Sequence, residues 1–72
     1  MEKNNQLIQR KINFYKDSNK WVHITLEDGK FRNGLIKYIG ADFILIDDLE
    51  NREWTIFFLE IVNVEEYRER VE

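Results

Sequence analysis

Apolar residues near the start of the chain recur with the spacing of a helix. Between residues 4 and 16, five side chains share one face at the i, i+4 and i+7 spacing: Leu7, Ile8, Lys11, Ile12 and Tyr15. Phe14 lies near the edge of this face. The following Asp17-Ser18-Asn19 stretch favours a turn, because short polar side chains bond to nearby backbone. The pattern predicts a helix over residues 4–16 that packs one face on the rest of the protein.

From Trp21 onward, the apolar period changes to two. In WVHITL, residues 21–26, every second side chain is aliphatic, which is typical of a half-buried strand. Four further strands are predicted on tight connections, over residues 31–39, 43–47, 53–58 and 61–65. Asp28-Gly29 lies between the first two strands and is a strong hairpin signal. We expect the charged tail, residues 66–72, to fray or to form one helical turn.

Five strands in about 45 residues are too few for two large sheets. They favour one strongly bent antiparallel sheet that closes into a small β-barrel, with the helix laid across an open end. Gly34 lies inside the second predicted strand and suits the corner of such a barrel. It could instead be a loop glycine or a point where another backbone passes close. We therefore predict a mostly β protein with an N-terminal α-helix, forming a single domain over residues 1–72.

The composition limits how such a small chain is stabilised. Its 72 residues contain no cysteine and one histidine, His23, which excludes disulfides and sites built from several thiolates or histidines. The sequence holds five Phe, three Tyr and two Trp, and these predict a dense aromatic core. Assembly with other chains is the second device available to a domain of this size.

Charge is distributed unevenly around the net value of −3. Residues 1–20 hold five basic and two acidic side chains, whereas residues 21–72 hold six basic and twelve acidic ones. A globally basic nucleic-acid binder is excluded, but a local basic face is compatible with this pattern. No segment reaches the roughly 20 apolar residues that cross a bilayer. The first 20 residues lack the apolar run of a signal peptide, so we expect no membrane association and a cytoplasmic location.

Few residues suggest catalysis or metal binding. The acidic cluster of Asp47-Asp48, Glu50 and Glu53 lacks the ordered spacing of a calcium loop and is best read as a solvated turn. His23 has no cysteine or serine nucleophile nearby and is expected at the surface or in an interface. There is no phosphate loop, nucleophile elbow or acid–base pair. We predict that the protein is not an enzyme and needs no metal or cofactor.

The segment VHITLEDGKFRNGLIKYIGADFILID, residues 22–47, resembles the first motif of the Sm-like family, which includes the Sm and Hfq proteins. The resemblance implies a bent five-stranded barrel and a ring of about five to seven identical subunits. In that family the fourth strand of one subunit pairs with the fifth strand of the next. The implied interface candidates lie on these two strands: Trp54, Ile56, Phe57, Phe58, Ile61, Val62 and Val64.

The resemblance also implies binding of single-stranded RNA, often U-rich, near a central pore. This chain departs from the family at most contact positions, with Gly40 and Asp42 in the turn and Phe57 or Phe58 in place of a basic residue. Ile44 stands where Sm proteins have Asn, although Hfq proteins are apolar there too. Other candidate RNA contacts are basic or aromatic side chains: Arg10, Lys11, Lys30, Arg32, Phe43 and Phe58. Core packing of the phenylalanines and simple solvation of the basic residues are the alternatives.

Three hypotheses follow from the sequence. The first is a ring that binds single-stranded RNA weakly or through a non-standard surface, for RNA metabolism or regulation. The second is an oligomeric scaffold that binds other proteins and no RNA, which the acidic strand region favours. The third is a monomeric small barrel of another family.

Overall fold

The computed structural model describes residues 2–68 of the chain, with side chains from Gln6 onward. The elements are helix α1 (Glu2–Asp17), strands β1 (Trp21–Leu26), β2 (Phe31–Ile39), β3 (Phe43–Asp48) and β4 (Glu53–Phe57), a 3-10 turn (Phe58–Glu60) and strand β5 (Ile61–Glu66). The predicted helix and the five predicted strands are confirmed to within two residues at each end. The predicted frayed or helical tail, residues 66–72, is wrong at its start, because Glu66 ends β5 and Tyr67 N donates to Trp21 O. Residues 69–72 lie outside the described residues.

The five strands form one antiparallel sheet in the order β4-β3-β2-β1-β5. A flat sheet would hold β4 and β5 about 19 Å apart, at about 4.8 Å for each of four strand spacings. The link from Phe57 to Ile61 spans at most about 14 Å even when fully extended. The sheet must therefore curl until its two edge strands approach each other at one end.

This curled sheet with a preceding helix confirms the predicted fold class. The sheet is nevertheless not closed, because β4 and β5 are its two edges and do not pair with each other. The backbone of the 3-10 turn bridges two other turns: Phe58 N donates to Asp42 O (3.0 Å), and Glu60 O accepts from Glu27 N (2.9 Å). These bonds hold the curled shape at the end of the barrel where β4 passes into β5.

The barrel is filled by branched aliphatic side chains. The buried core consists of residues from the helix, every strand and the 3-10 turn: Ile8, Ile12, Val22, Ile24, Ile36, Ile44, Ile46, Ile56, Phe58, Ile61 and Val64. All ten aromatic residues fall within the described range, and only Phe58 is buried. The prediction of a dense aromatic core is wrong, because the narrow interior of a five-stranded barrel is filled by isoleucine and valine, which pack well on a pleated surface.

Helix α1 covers the barrel by packing against β2, β5 and the 3-10 turn. Its buried face is formed by Ile8 and Ile12, with Tyr15 packed against the core. Leu7 was expected on this face but is exposed, as is Phe14. Each residue turns the helix by about 100°, so the face centred on Ile8 and Ile12 leaves Leu7 on the flank of the helix. Among the described residues, no helix is both long and apolar enough to span a bilayer.

Gly34 lies at the corner of the sheet, where β2 passes from one partner strand to the other. It pairs with Val22 of β1 and with Asp48 of β3. A Cβ atom built at Gly34 would lie 2.9 Å from the backbone carbonyl carbon of Asp47. Gly34 is therefore both a corner of the sheet and a point where another backbone passes close, because the bend brings the β3 backbone against its Cα atom.

We expect Gly34→Ala to destabilise the protein by about 1–3 kcal/mol, the usual cost of overpacking, because β3 backbone would have to move. Gly29→Asn controls for replacing a glycine without crowding, since nothing lies within 4 Å of a Cβ at Gly29, although its φ of +90° gives that substitution a backbone cost of its own. Urea denaturation followed by circular dichroism measures both. A Gly34→Ala variant as stable as the wild type would show that the corner tolerates a side chain.

Candidate assembly edges and nucleic-acid interface

The two edge strands present unpaired backbone groups in an alternating pattern. At the two ends of β4, Arg52 O accepts from Asp48 N and Phe58 N donates to Asp42 O, so the alternating N–H and C=O groups of Thr55 point outward. Just after β5, Tyr67 N donates to Trp21 O (2.8 Å), so the groups of Val64 point outward on the other edge. Each edge is a template for pairing with another strand.

The seven interface candidates differ in how exposed their side chains are. Ile56, Phe58, Ile61 and Val64 have buried side chains that belong to the core of their own chain, and Trp54 is half-buried. The two exposed candidates are Phe57, at the end of β4, and Val62, on β5. Leu59 was not among the candidates, yet it is 83% exposed in the turn between these strands. The edges thus combine open backbone with apolar side chains.

Lys11 is engaged with the β5 edge. Its Nζ atom donates a hydrogen bond to Val64 O (3.1 Å), one of the carbonyls that point away from β1. Lysine beside an open edge is a common protection against unwanted strand pairing. The Lys11 ammonium therefore serves the helix–strand contact in this subunit.

The other three basic candidates have different surroundings. Arg10 is exposed on α1, and Lys30 is exposed in the turn between β1 and β2. Arg32 is half-buried, with its guanidinium 3.9 Å from the centroid of the Trp54 ring. Lys30 and Arg32 line a groove of about 290 Å³ together with acidic side chains, Glu27, Asp28 and Glu60. This part of the surface has mixed charge.

Phe43 belongs to a chain of three aromatic rings on the outer face of the sheet. Its ring centroid lies 6.0 Å from that of Tyr38 and 6.3 Å from that of Phe57. A Cβ at Gly40 would lie 2.5 Å from the Phe43 ring, so only glycine leaves room for this ring against the turn. Phe58, the second phenylalanine candidate, is buried and offers no open ring face to a base.

Sequence reasoning did not select Tyr38 for the site. Alternation from the buried Ile36 would place residue 38 inside the barrel. The pairing of β2 with β3 shifts register between Ile36 and Tyr38, and this irregularity turns Tyr38 outward, where it is 54% exposed. No local sequence signal marks the shift. The register shift can be recognised only when the pairing of β2 with β3 is known.

A carboxylate at the end of β3 organises the β3–β4 turn. Asp48 Oδ1 accepts from the backbone N–H groups of Glu50 (2.8 Å) and Arg52 (2.9 Å), and Oδ2 accepts from Trp54 Nε1 (2.8 Å). The Trp54 indole bond, followed by the Arg52 N–H, lowers the pKa of Asp48 below its ordinary value of 3.8. Within the acidic cluster, the Asp48 carboxylate therefore has a structural role. It holds the Trp54 ring, and the Arg32 guanidinium lies over that ring.

His23 lies on the same outer face as Phe31 and the aromatic chain. Its Nδ1 atom donates to Asn33 Oδ1 (2.5 Å), and its ring centroid lies 5.0 Å from that of Phe31. The ring is half-buried between neighbouring strands. It therefore acts as part of the cross-strand packing.

No protein-family model matches this chain, and no curated protein sequence matches it. A solved structure is similar in three dimensions: the crystal structure of the pleiotropic translational regulator Hfq, with a TM-score of 0.70. The match covers 78% of this chain and 92% of the Hfq chain, at 12% sequence identity. The chain has an Sm-like, Hfq-type fold. At this identity the likeness concerns the fold alone.

At the turn where the resemblance implied RNA contacts, the residues of this chain have different surroundings from one another. Ile44 is fully buried in the core, and Asp42 is exposed with its backbone carbonyl bonded to Phe58 N. Gly40 lies under the Phe43 ring. The surface around this turn is therefore aromatic and acidic.

Because the folded pKa of Asp48 is lowered, its contribution to stability is complete above the unfolded value and is lost as pH falls through the folded value. We expect the free energy of unfolding to decline below about pH 4 more steeply in the wild type than in Asp48→Asn. Urea denaturation at a series of pH values measures this difference. Parallel pH profiles for the two proteins would contradict the assigned role of Asp48.

Proposed function

We propose that this protein assembles through β4 and β5 into a closed ring of identical subunits that binds single-stranded RNA weakly. The observation that carries the proposal is the pair of open edges, one on each side of the subunit. A contact between two different surfaces of one chain repeats from copy to copy and closes into a ring when the rotation permits. Such a ring satisfies the outward backbone groups of both strands, and we expect about five to seven subunits.

The ring explains the apolar residues at the edges. Phe57, Leu59 and Val62 are exposed in the single subunit, and long apolar edges aggregate unless they are paired. Subunit contacts also add stability to a chain that buries only about 60% of its unfolded surface. Assembly therefore satisfies two physical needs of this chain at once.

For RNA, the proposal assigns base stacking to the exposed Tyr38 beside Phe43, and phosphate contacts to exposed basic residues such as Lys30. Each stacked base contributes about 1–3 kcal/mol, and a ring repeats each contact in every subunit. Asp42 beside the aromatic rings repels phosphate, which accounts for weak binding. The Hfq protein of similar fold is a translational regulator, and a role for this chain in RNA regulation in the cytoplasm, without catalysis, fits that likeness.

The second candidate function is an oligomeric scaffold for other proteins. It is favoured by the exposed carboxylate of Asp42 beside the aromatic rings, a pairing of groups that suits a basic peptide better than a phosphate backbone. The two functions differ in what copurifies with the ring. A 260/280 absorbance ratio that falls on nuclease treatment supports the RNA function, and a ring free of nucleic acid but bound to protein supports the scaffold.

We expect light scattering to give a mass about five to seven times the subunit mass of 8.9 kDa. Thr55→Pro should reduce this mass to that of a monomer, because it removes an outward N–H from the β4 edge without touching the β3 ladder. Thr55→Ala keeps the N–H and is the matched control. A wild-type mass near 8.9 kDa, or an unchanged mass for folded Thr55→Pro, would overturn assembly through these edges.

Fluorescence anisotropy with labelled oligo-U and oligo-A tests RNA binding by the ring. We expect binding at low salt that weakens as salt rises. Tyr38→Ser should weaken it by at least about tenfold, because the substitution removes a stacking ring from every subunit. Phe31→Ser is the matched control, since Phe31 and Tyr38 are both 54% exposed but only Tyr38 lies beside Phe43. A stable ring that binds neither oligonucleotide at low salt would reject the RNA function and leave the scaffold.

A further inference from the structure

Helix α1 carries a second apolar surface besides the face that packs on the barrel. Leu7 is 54% exposed and Phe14 is 60% exposed, although both are large apolar residues. They are seven positions apart and follow one line along the helix, with Arg10 exposed beside them. We call Leu7, Arg10 and Phe14 the helix ridge. Within the subunit this ridge faces solvent.

The helix ridge runs along the β5 edge. Lys11 stands four positions after Leu7 and three before Phe14, so it lies on the same line of the helix. Its Nζ atom reaches Val64 O, which points outward from the β5 edge. The flank that bears the ridge is therefore the flank nearest to the strand that a neighbouring subunit would join.

The opposite flank of the helix borders an apolar groove. The groove has a volume of about 350 Å³ and is lined by residues of α1, the β2–β3 turn and the end of β4: Gln9, Ala41, Asp42, Phe57, Phe58 and Leu59. Phe57 and Leu59 are exposed there, and Asp42 contributes the acidic group of the lining. The groove lies where β4, the other open edge, passes into the 3-10 turn. We call it the β4 groove.

We propose that the helix ridge of one subunit docks in the β4 groove of the next subunit, with Arg10 beside Asp42 across the seam. The proposal rests on the ring proposed above, since pairing of β5 with a neighbouring β4 brings these two surfaces together. The seam then has two layers. Backbone hydrogen bonds join the strands, and apolar side chains pack above them on the helix side.

Charge and position favour a second copy of this chain as the occupant of the groove. The ridge combines apolar side chains with a basic one, and the groove combines apolar side chains with an acidic one. The ridge and the groove lie on opposite flanks of the helix, as a head-to-tail contact requires. RNA fits the groove poorly, because its lining is apolar and its charged group is a carboxylate.

The test is the concentration at which the ring dissociates, measured by sedimentation for variants whose folding is checked by circular dichroism. We expect Leu7→Asp to raise this concentration by about tenfold or more, because a buried carboxylate would face the apolar groove. Leu49→Asp should leave it unchanged. Leu49 is 55% exposed, nearly the same as Leu7, and lies outside both the ridge and the groove.

Charge reversal tests the orientation of the contact. Arg10→Glu and Asp42→Arg should each raise the dissociation concentration by about threefold to tenfold, and the double variant should restore it to near the wild-type value. If Thr55→Pro breaks the ring but Leu7→Asp does not weaken it, or if the double variant is no better than the single ones, the docking is wrong and the ring stands. A wild-type protein that is monomeric rejects the ring itself, and the docking with it.

Discussion

The shape of this protein depends on one connection, the three-residue turn Phe58–Glu60 between β4 and β5. Strands that follow so closely in a chain usually pair with each other as a hairpin. Here they lie at opposite edges of the sheet, so the short turn can connect them only if the sheet curls. The curl places Gly34 against the β3 backbone and narrows the interior to a space for isoleucine and valine. It also leaves two edges, β4 and β5, that no other strand of the described residues pairs.

The local parts of this fold were predictable because their causes are local. Alternation in WVHITL, the Asp28-Gly29 turn and the helical spacing of Ile8 and Ile12 each determine a structure within a few residues. The errors concern positions whose environment is set by distant partners. Leu7 has the correct helical spacing but lies outside the narrow strip that the barrel covers. Tyr38 faces outward because of a register shift against β3, and the aromatic residues lie outside because the curled interior is small.

The candidate RNA-binding turn shows how one glycine determines where its neighbours lie. With glycine at position 40, the Phe43 ring lies against the turn and contacts Tyr38 and Phe57. Any side chain at position 40 would displace that ring. The resemblance drew attention to this turn, but the sequence alone could not show that Phe43 fills the space above Gly40. Likewise, the sequence indicates the charge of Arg32 but not the position of its guanidinium over the Trp54 ring.

Lys11 bonds to the same strand edge that the proposed assembly would use. In the free chain its ammonium donates to Val64 O and protects the β5 edge at one outward carbonyl. A single lysine hydrogen bond protects the edge only weakly, because the ammonium also bonds well to water. A neighbouring β4 strand supplies several N–H groups at once, together with the apolar surface of Phe57 and Leu59. In the proposed ring, a neighbouring β4 strand would replace Lys11 at this carbonyl, whereas in the free subunit the lysine reduces pairing with unrelated strands.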